Sequence, residues 1–108
     1  MGSFASPHYN GNALASVSTI KGSAGQLTML DAKNENVLGS WIQIFDHASP
    51  TVGTTVPTLS FWVPPGGGVD KMFQIPVEFQ NAIKYACTTT KDGSVAPVTG
   101  LIINASSM

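Results

Sequence analysis

Apolar and polar residues alternate with period two along much of this chain, in short runs. Leu27 and Met29 oppose Thr28, and Leu59, Phe61 and Val63 share a side opposite Thr58, Ser60 and Trp62. Phe73, Ile75, Val77 and Phe79 alternate with Met72, Gln74, Pro76 and Glu78, and Ile83, Tyr85 and Cys87 with Lys84, Ala86 and Thr88. Side chains that switch face at every residue mark half-buried β-strands. Further strands are predicted over residues 13–20 and 98–105, the latter centred on Leu101, Ile102 and Ile103. Helical spacing is not sustained anywhere for ten residues, except around 77–85, which reads as readily as strand, turn and strand. Turn-forming stretches at 21–25, 31–36, 46–54, 64–68 and 89–97 separate the runs. The pattern predicts an all-β chain: an antiparallel β-sandwich of six to eight short strands, jelly-roll or immunoglobulin-like. Residues 1–12 are turn-rich and aperiodic, and are expected to form an irregular N-terminal arm before a single domain over 13–108.

Two runs depart from clean alternation. Residues 37–45 are apolar on both sides, with Leu38, Ile42 and Ile44 on one and Val37, Trp41 and Phe45 on the other. Such a strand is covered twice, by the core on one face and by a partner or a loop on the other. In the second run Trp62 interrupts an otherwise polar face, which makes it a candidate interface anchor beside Trp41. Pro57 cannot donate a ladder hydrogen bond, so its strand lies at an edge or starts late.

Composition narrows the functional classes. Only 10% of the 108 residues are charged, the net charge is -1, and the five basic residues are all Lys. Without Arg, and without a basic patch, no nucleic-acid partner is expected. The apolar runs are too short for a membrane span, and no cationic segment followed by an apolar one opens the chain. Ser, Thr, Asn and Gln fill 31 positions. Their uncharged surface repels copies of itself less than a Lys/Glu surface would, which favours an oligomer.

Candidate chemistry is sparse. Asp46 and His47 are the only adjacent carboxylate and imidazole, but neighbouring strand residues point to opposite faces and no nucleophile motif accompanies them. His8 and His47 lack metal-ligand spacing. Cys87, two residues after Tyr85 and with Trp41 on an earlier strand, resembles the Tyr-x-Cys and core Trp of immunoglobulin domains, though no partner cysteine exists for the defining disulfide. The simpler reading makes these residues sandwich core and Cys87 a small buried hydrophobe. The glycines at 66–68 lack the Gly-Lys-Ser/Thr ending of a phosphate loop and read as a hairpin tip. Asn104 heads a glycosylation sequon, relevant only in a eukaryotic secretory route. No catalytic, metal-binding or cofactor-binding residue is assigned, and no enzyme is expected.

Four segments together carry a resemblance: IFDHASPTVGTTVPT at 44–58, LSFWV at 59–63, PPGGG at 64–68 and FQNAIKYACTTT at 79–90. Their order resembles that of small β-sandwich virion proteins of tailed bacteriophages, over roughly residues 37–104. The shared motifs are turn chemistry, so no site residue carries over. The resemblance implies a non-enzymatic structural protein of the virion, chiefly a capsid decoration (cement) protein on the capsid surface. It would stabilise the head by bridging capsid subunits, with the major capsid protein or other virion proteins as partners and a homo-oligomer (dimer or trimer) as the working form. The alternative it implies is a tail, collar or fibre component that binds a receptor or carbohydrate.

Overall fold

The computed structural model describes residues 8–13 and 15–108. Eight strands and no helix are found among them: β1 His8–Ala13, β2 Ser18–Lys21, β3 Gly25–Lys33, β4 Ser40–Phe45, β5 Leu59–Val63, β6 Gly68–Phe79, β7 Ile83–Thr88 and β8 Leu101–Ser107. They build two four-stranded antiparallel sheets, ordered β1-β8-β3-β6 and β2-β7-β4-β5. Only β4 and β5 are joined as a hairpin within one sheet; every other connection crosses between the sheets. That interleaving is the jelly-roll order, and it decides between the two sandwich topologies left open by the sequence.

Alternation places the core. Leu27, Leu30 and Ala32 of β3 and Leu101, Ile103 and Ala105 of β8 face Ile42 and Ile44 of β4 and Ile83, Tyr85 and Cys87 of β7, all buried. Val63, Phe61 and Leu59 of β5 and Val69, Phe73, Val77 and Phe79 of β6 close one side. Each large aliphatic side chain removed from water in this way contributes roughly 1.5–3 kcal/mol. At the β5–β6 side the Lys71 ammonium lies 5.4 Å from the centre of the Phe61 ring, so a cation covers the last aromatic before solvent.

Two irregularities shape the first sheet. Thr28 is a one-residue bulge against β8, since Leu27 pairs with Ser107 and Met29 with Ser106. On the other flank Leu27 pairs with Val77 and Met29 with Met72, so residues 73–76 of β6 stand opposite Thr28 alone. Pro76, which has no N–H to give a ladder, falls inside this wide bulge.

The expected arm over 1–12 is corrected in part. Residues 8–12 belong to β1, which pairs with β8 from His8 opposite Ser106 to Ala13 opposite Leu101, so the domain starts before residue 13. This pairing satisfies the outer backbone groups of β8 and needs no apolar alternation, which is why the pattern missed it. Residues 1–7 lie outside the described residues. The run 37–45 is also shorter as a strand: β4 begins at Ser40, and Val37 and Leu38 belong to the preceding loop.

Replacing Ile44 by Ala, which empties a fully buried site between the sheets, is expected to cost about 2–5 kcal/mol. The loss will be read as a lower urea midpoint at unchanged slope.

Candidate functional site

Trp41 and Trp62, the two residues singled out as interface anchors, are direct cross-strand partners in the β4–β5 hairpin. Both project from the outer face of the second sheet. Trp41 is half-buried, whereas Trp62, on the edge strand, keeps 49% of its surface exposed. The Trp62 ring lies against the backbone of Gly39: a Cβ at residue 39 would come within 2.5 Å of Nε1 and 2.8 Å of Cε2. A glycine at the mouth of β4 therefore lets the indole fold over the strand end.

The second face of β4 is covered by the chain itself. Gln43, Phe45 and Ala86 point outward yet are buried, beneath the loops that follow β4 and β7. Gln43 Nε2 donates to Thr88 Oγ1 (2.7 Å) and to the Gly93 carbonyl (3.1 Å), and Thr88 Oγ1 donates to the Thr90 carbonyl (2.6 Å). The two loops meet where Gly53, at φ 88°, approaches Ser94. Loops thus cover the second face of β4 at Gln43 and Phe45, while Val37 and Leu38 of the same apolar run stay exposed.

One end of the sandwich is organised by two asparagines that patterning passed over. Asn34 is fully buried. Its Nδ2 donates to the carbonyls of Leu38 (2.9 Å) and Val63 (3.3 Å), and its Oδ1 accepts from the Asn36 amide N–H (2.9 Å) and Nδ2 (2.7 Å). Asn36 in turn donates from Nδ2 to the Thr99 carbonyl (2.8 Å) and accepts at Oδ1 from the Thr99 N–H (2.7 Å). The Asn34 N–H donates to the Gly67 carbonyl at 2.8 Å, and Gly66 makes the intervening turn at φ 67°. Loops from three connections are thereby fixed to one another. They frame a cavity of about 240 Å³ between the β3–β4 and β7–β8 loops, with Val37, Leu38, Pro97 and Val98 in its wall and Ser40 among its lining. Around it Val37, Leu38 and Val98 are 90%, 69% and 98% exposed, a cluster of bare aliphatic side chains continuous through Gly39 with Trp62.

The remaining candidates occupy separate places. At the opposite end the Asp46 carboxylate accepts from the N–H groups of Gln80 (2.9 Å) and Asn81 (2.8 Å). These bonds, Gln80 first, hold it below its ordinary value of 3.8 against a smaller opposing effect of burial. His47 Nδ1 accepts from the Ser49 N–H at 2.8 Å, so each member of the pair holds a turn. Cys87 is a core residue beside Ile42, and burial pushes its thiol up to about 12. Tyr85 shares that core, while Trp41 faces the other way. The His8 side chain lies outside the described residues. Among the described residues no three His, Cys, Asp or Glu gather as a metal site. On the outer face of the first sheet Asp31 lies opposite Asp70; a hydrogen bond to that carboxyl, then burial, then its charge raise Asp31 above 3.8.

No family model, curated protein or solved structure matches this chain.

Asn34→Ala strands two carbonyls and removes the bridge to Asn36, and is expected to cost roughly 1–3 kcal/mol in urea unfolding. The amides of residues 36–40 and 97–99 will lose hydrogen-exchange protection more than the core strands. Asp46 contributes stability above its unfolded value and loses it as pH falls through its lowered folded value, while Asp31, with a raised value, acts in the opposite sense. Asp46→Asn is therefore expected to be less stable than the parent at pH 7, and the gap to close between about pH 5 and pH 2, measured as unfolding midpoints across that range.

Proposed function

We propose that this protein is a non-enzymatic structural component of a virion, a capsid decoration protein that stabilises the head by bridging capsid subunits. The observation that carries the reading is the bare apolar collar of Val37, Leu38, Val98 and Trp62 on a rigid, hydrogen-bonded end of the sandwich. Apolar side chains held at fixed positions lose little entropy on association, which is what an adhesive surface needs. The jelly-roll order supports the same reading, because this architecture recurs in viral capsid and lectin domains, and so does the resemblance of residues 37–104. The uncharged polar surface lets copies crowd without strong repulsion.

The mechanism is population shift. A dimer or trimer that touches two capsomers gains effective concentration at its second contact. A copy that binds the mature shell about 1–3 kcal/mol better than the precursor shifts the shell equilibrium by that difference. Many copies acting together oppose rupture. A second reading, a receptor- or carbohydrate-binding component of tail, collar or fibre, is favoured by Trp62, whose exposed indole next to Trp41 offers a stacking face.

Purified protein is expected to co-sediment with mature empty shells of the phage that encodes it, and the paired change Leu38→Asp and Val98→Asp to lower that binding at least tenfold with the fold intact. Protein left in the supernatant at saturating concentration would overturn the decoration reading. Adsorption to host cells in place of shells, lost in Trp62→Ala, would establish the second.

A further inference from the structure

We infer that β1 is the seam at which two copies of this chain pair, antiparallel and about a two-fold axis, joining their first sheets into one of eight strands. This deepens the adhesion reading and rests on it only for the use to which the pair is put. β1 is the end strand of its sheet. In an antiparallel ladder alternate residues direct their N–H and C=O groups at the neighbour. Those of β1 that do not face β8 therefore form a row open to a further strand. Folded β proteins blunt such edges with charge, Pro, bulges or brevity, and three of the four edges here are blunted. β2 has only four residues, among them Lys21, and a register shift between Thr19 and Lys21. β5 is bounded by Pro57 and Pro64, and Lys71 of the facing sheet reaches over its Phe61 ring. β6 carries Asp70, Lys71 and Glu78 and is interrupted around Pro76. β1 has none of these devices: it pairs with β8 without a break from His8 to Ala13, and HYNGNA holds no Pro, Lys, Asp or Glu.

The same lack of charge selects the occupant. In a two-fold contact each residue meets its own copy or a near neighbour of it, so a charge on the strand would face its like. Centred on residue 10 or 11, the registers that engage most of β1, the contact sets Asn10 opposite Asn10 or Asn12 of the second copy. Gly11 then meets Tyr9 or Gly11. No like charges oppose each other in either register. A different partner protein would make no such demand, since it could answer a charge on β1 with the opposite one. β2 is the edge beside β1, and β5 with Trp62 is the far edge of that second sheet. A pair joined at β1 therefore leaves both Trp62 edges uncovered, as a bridge between two capsomers requires.

The test is sedimentation velocity of the full chain from low micromolar to millimolar concentration, with amide hydrogen exchange at both ends of that range. The parent is expected to pass to a particle of twice 11.3 kDa. Alternate amides of residues 8–13 should exchange more slowly at the higher concentration. The paired change Asn10→Lys and Asn12→Lys sets like charges opposite one another and should weaken the dimer about fivefold or more. Gln74→Lys, on the β6 edge, should leave the dimer unchanged, and equal weakening by it would overturn the seam. A monomer at millimolar concentration overturns it, and so does a dimer in which β1 gains no protection. A dimer indifferent to the paired change does the same, and exchange in the parent decides if that variant does not fold. Protection of β1 that requires added shells overturns the second copy as occupant. A chain that dimerises at β1 but stays in the supernatant with shells retains the seam and overturns the decoration reading; a monomer that co-sediments with shells does the reverse.

Discussion

A sandwich of crossing strands has open ends, and at one of them the backbone groups of three loops must find partners without a sheet ladder. The buried Asn34 side chain meets that constraint. It does for the β3–β4 loop what a strand does for its neighbour, giving two donors to carbonyls of Leu38 and Val63 and accepting twice from Asn36. Because Asn36 then pairs reciprocally with the backbone of Thr99, the β7–β8 loop inherits the same positioning. Cavity, collar and the glycine under Trp62 all follow from that arrangement. A fully satisfied buried polar network is stiff where an apolar filler would leave loops free to wander.

The core is legible because burying one face of a strand forces period two, and Ile83, Tyr85 and Cys87 of β7 announce themselves that way; in β8 only the apolar centre at 101–103 does, and the buried Ser107 does not. The topology is not legible, since alternation says which side a residue faces and nothing about which strand lies beside it. β1 escapes for a related reason: HYNGNA sets only Tyr9 and Ala13, with Gly11 between them, against its polar positions, too small an apolar face to mark a strand, and it is paired along its backbone with β8. In the sequence the wide bulge of β6 looks like plain alternation from Met72 to Phe79, although Pro76, with no N–H to give, signals that the ladder breaks there. The cross-strand meeting of Trp41 and Trp62 required the hairpin register, which loop length alone did not fix. Asn34 was hidden in a stretch that reads as a polar turn; only its complete burial separates it from Asn36 or Glu35 nearby.

The doubly apolar strand invites a partner as its second cover, and over Gln43 and Phe45 the chain's own loops take that place. This moves the argument for association away from the sheet face, to the end of the sandwich and the edge at Trp62. Gln43 shows how the cover is held, by a side-chain amide that bonds both to the next strand and to the loop above it. An interface built at such an end is carried by loops, yet by loops whose hydrogen bonds are spent internally. That suits contact with a surface whose shape is itself fixed.

The interruption in β6 bears on what its edge can offer another molecule. This strand lies at the margin of its sheet, with Met72 and Ile75 bare to water, and a smooth margin of that kind would template growth of ribbons from one molecule to the next. The detour at 73–76, the missing N–H of Pro76 and the inward-turned Lys71 leave no unbroken run of donors and acceptors for a newcomer to match. At residues 73–76, then, this margin offers a second copy no regular ladder to extend.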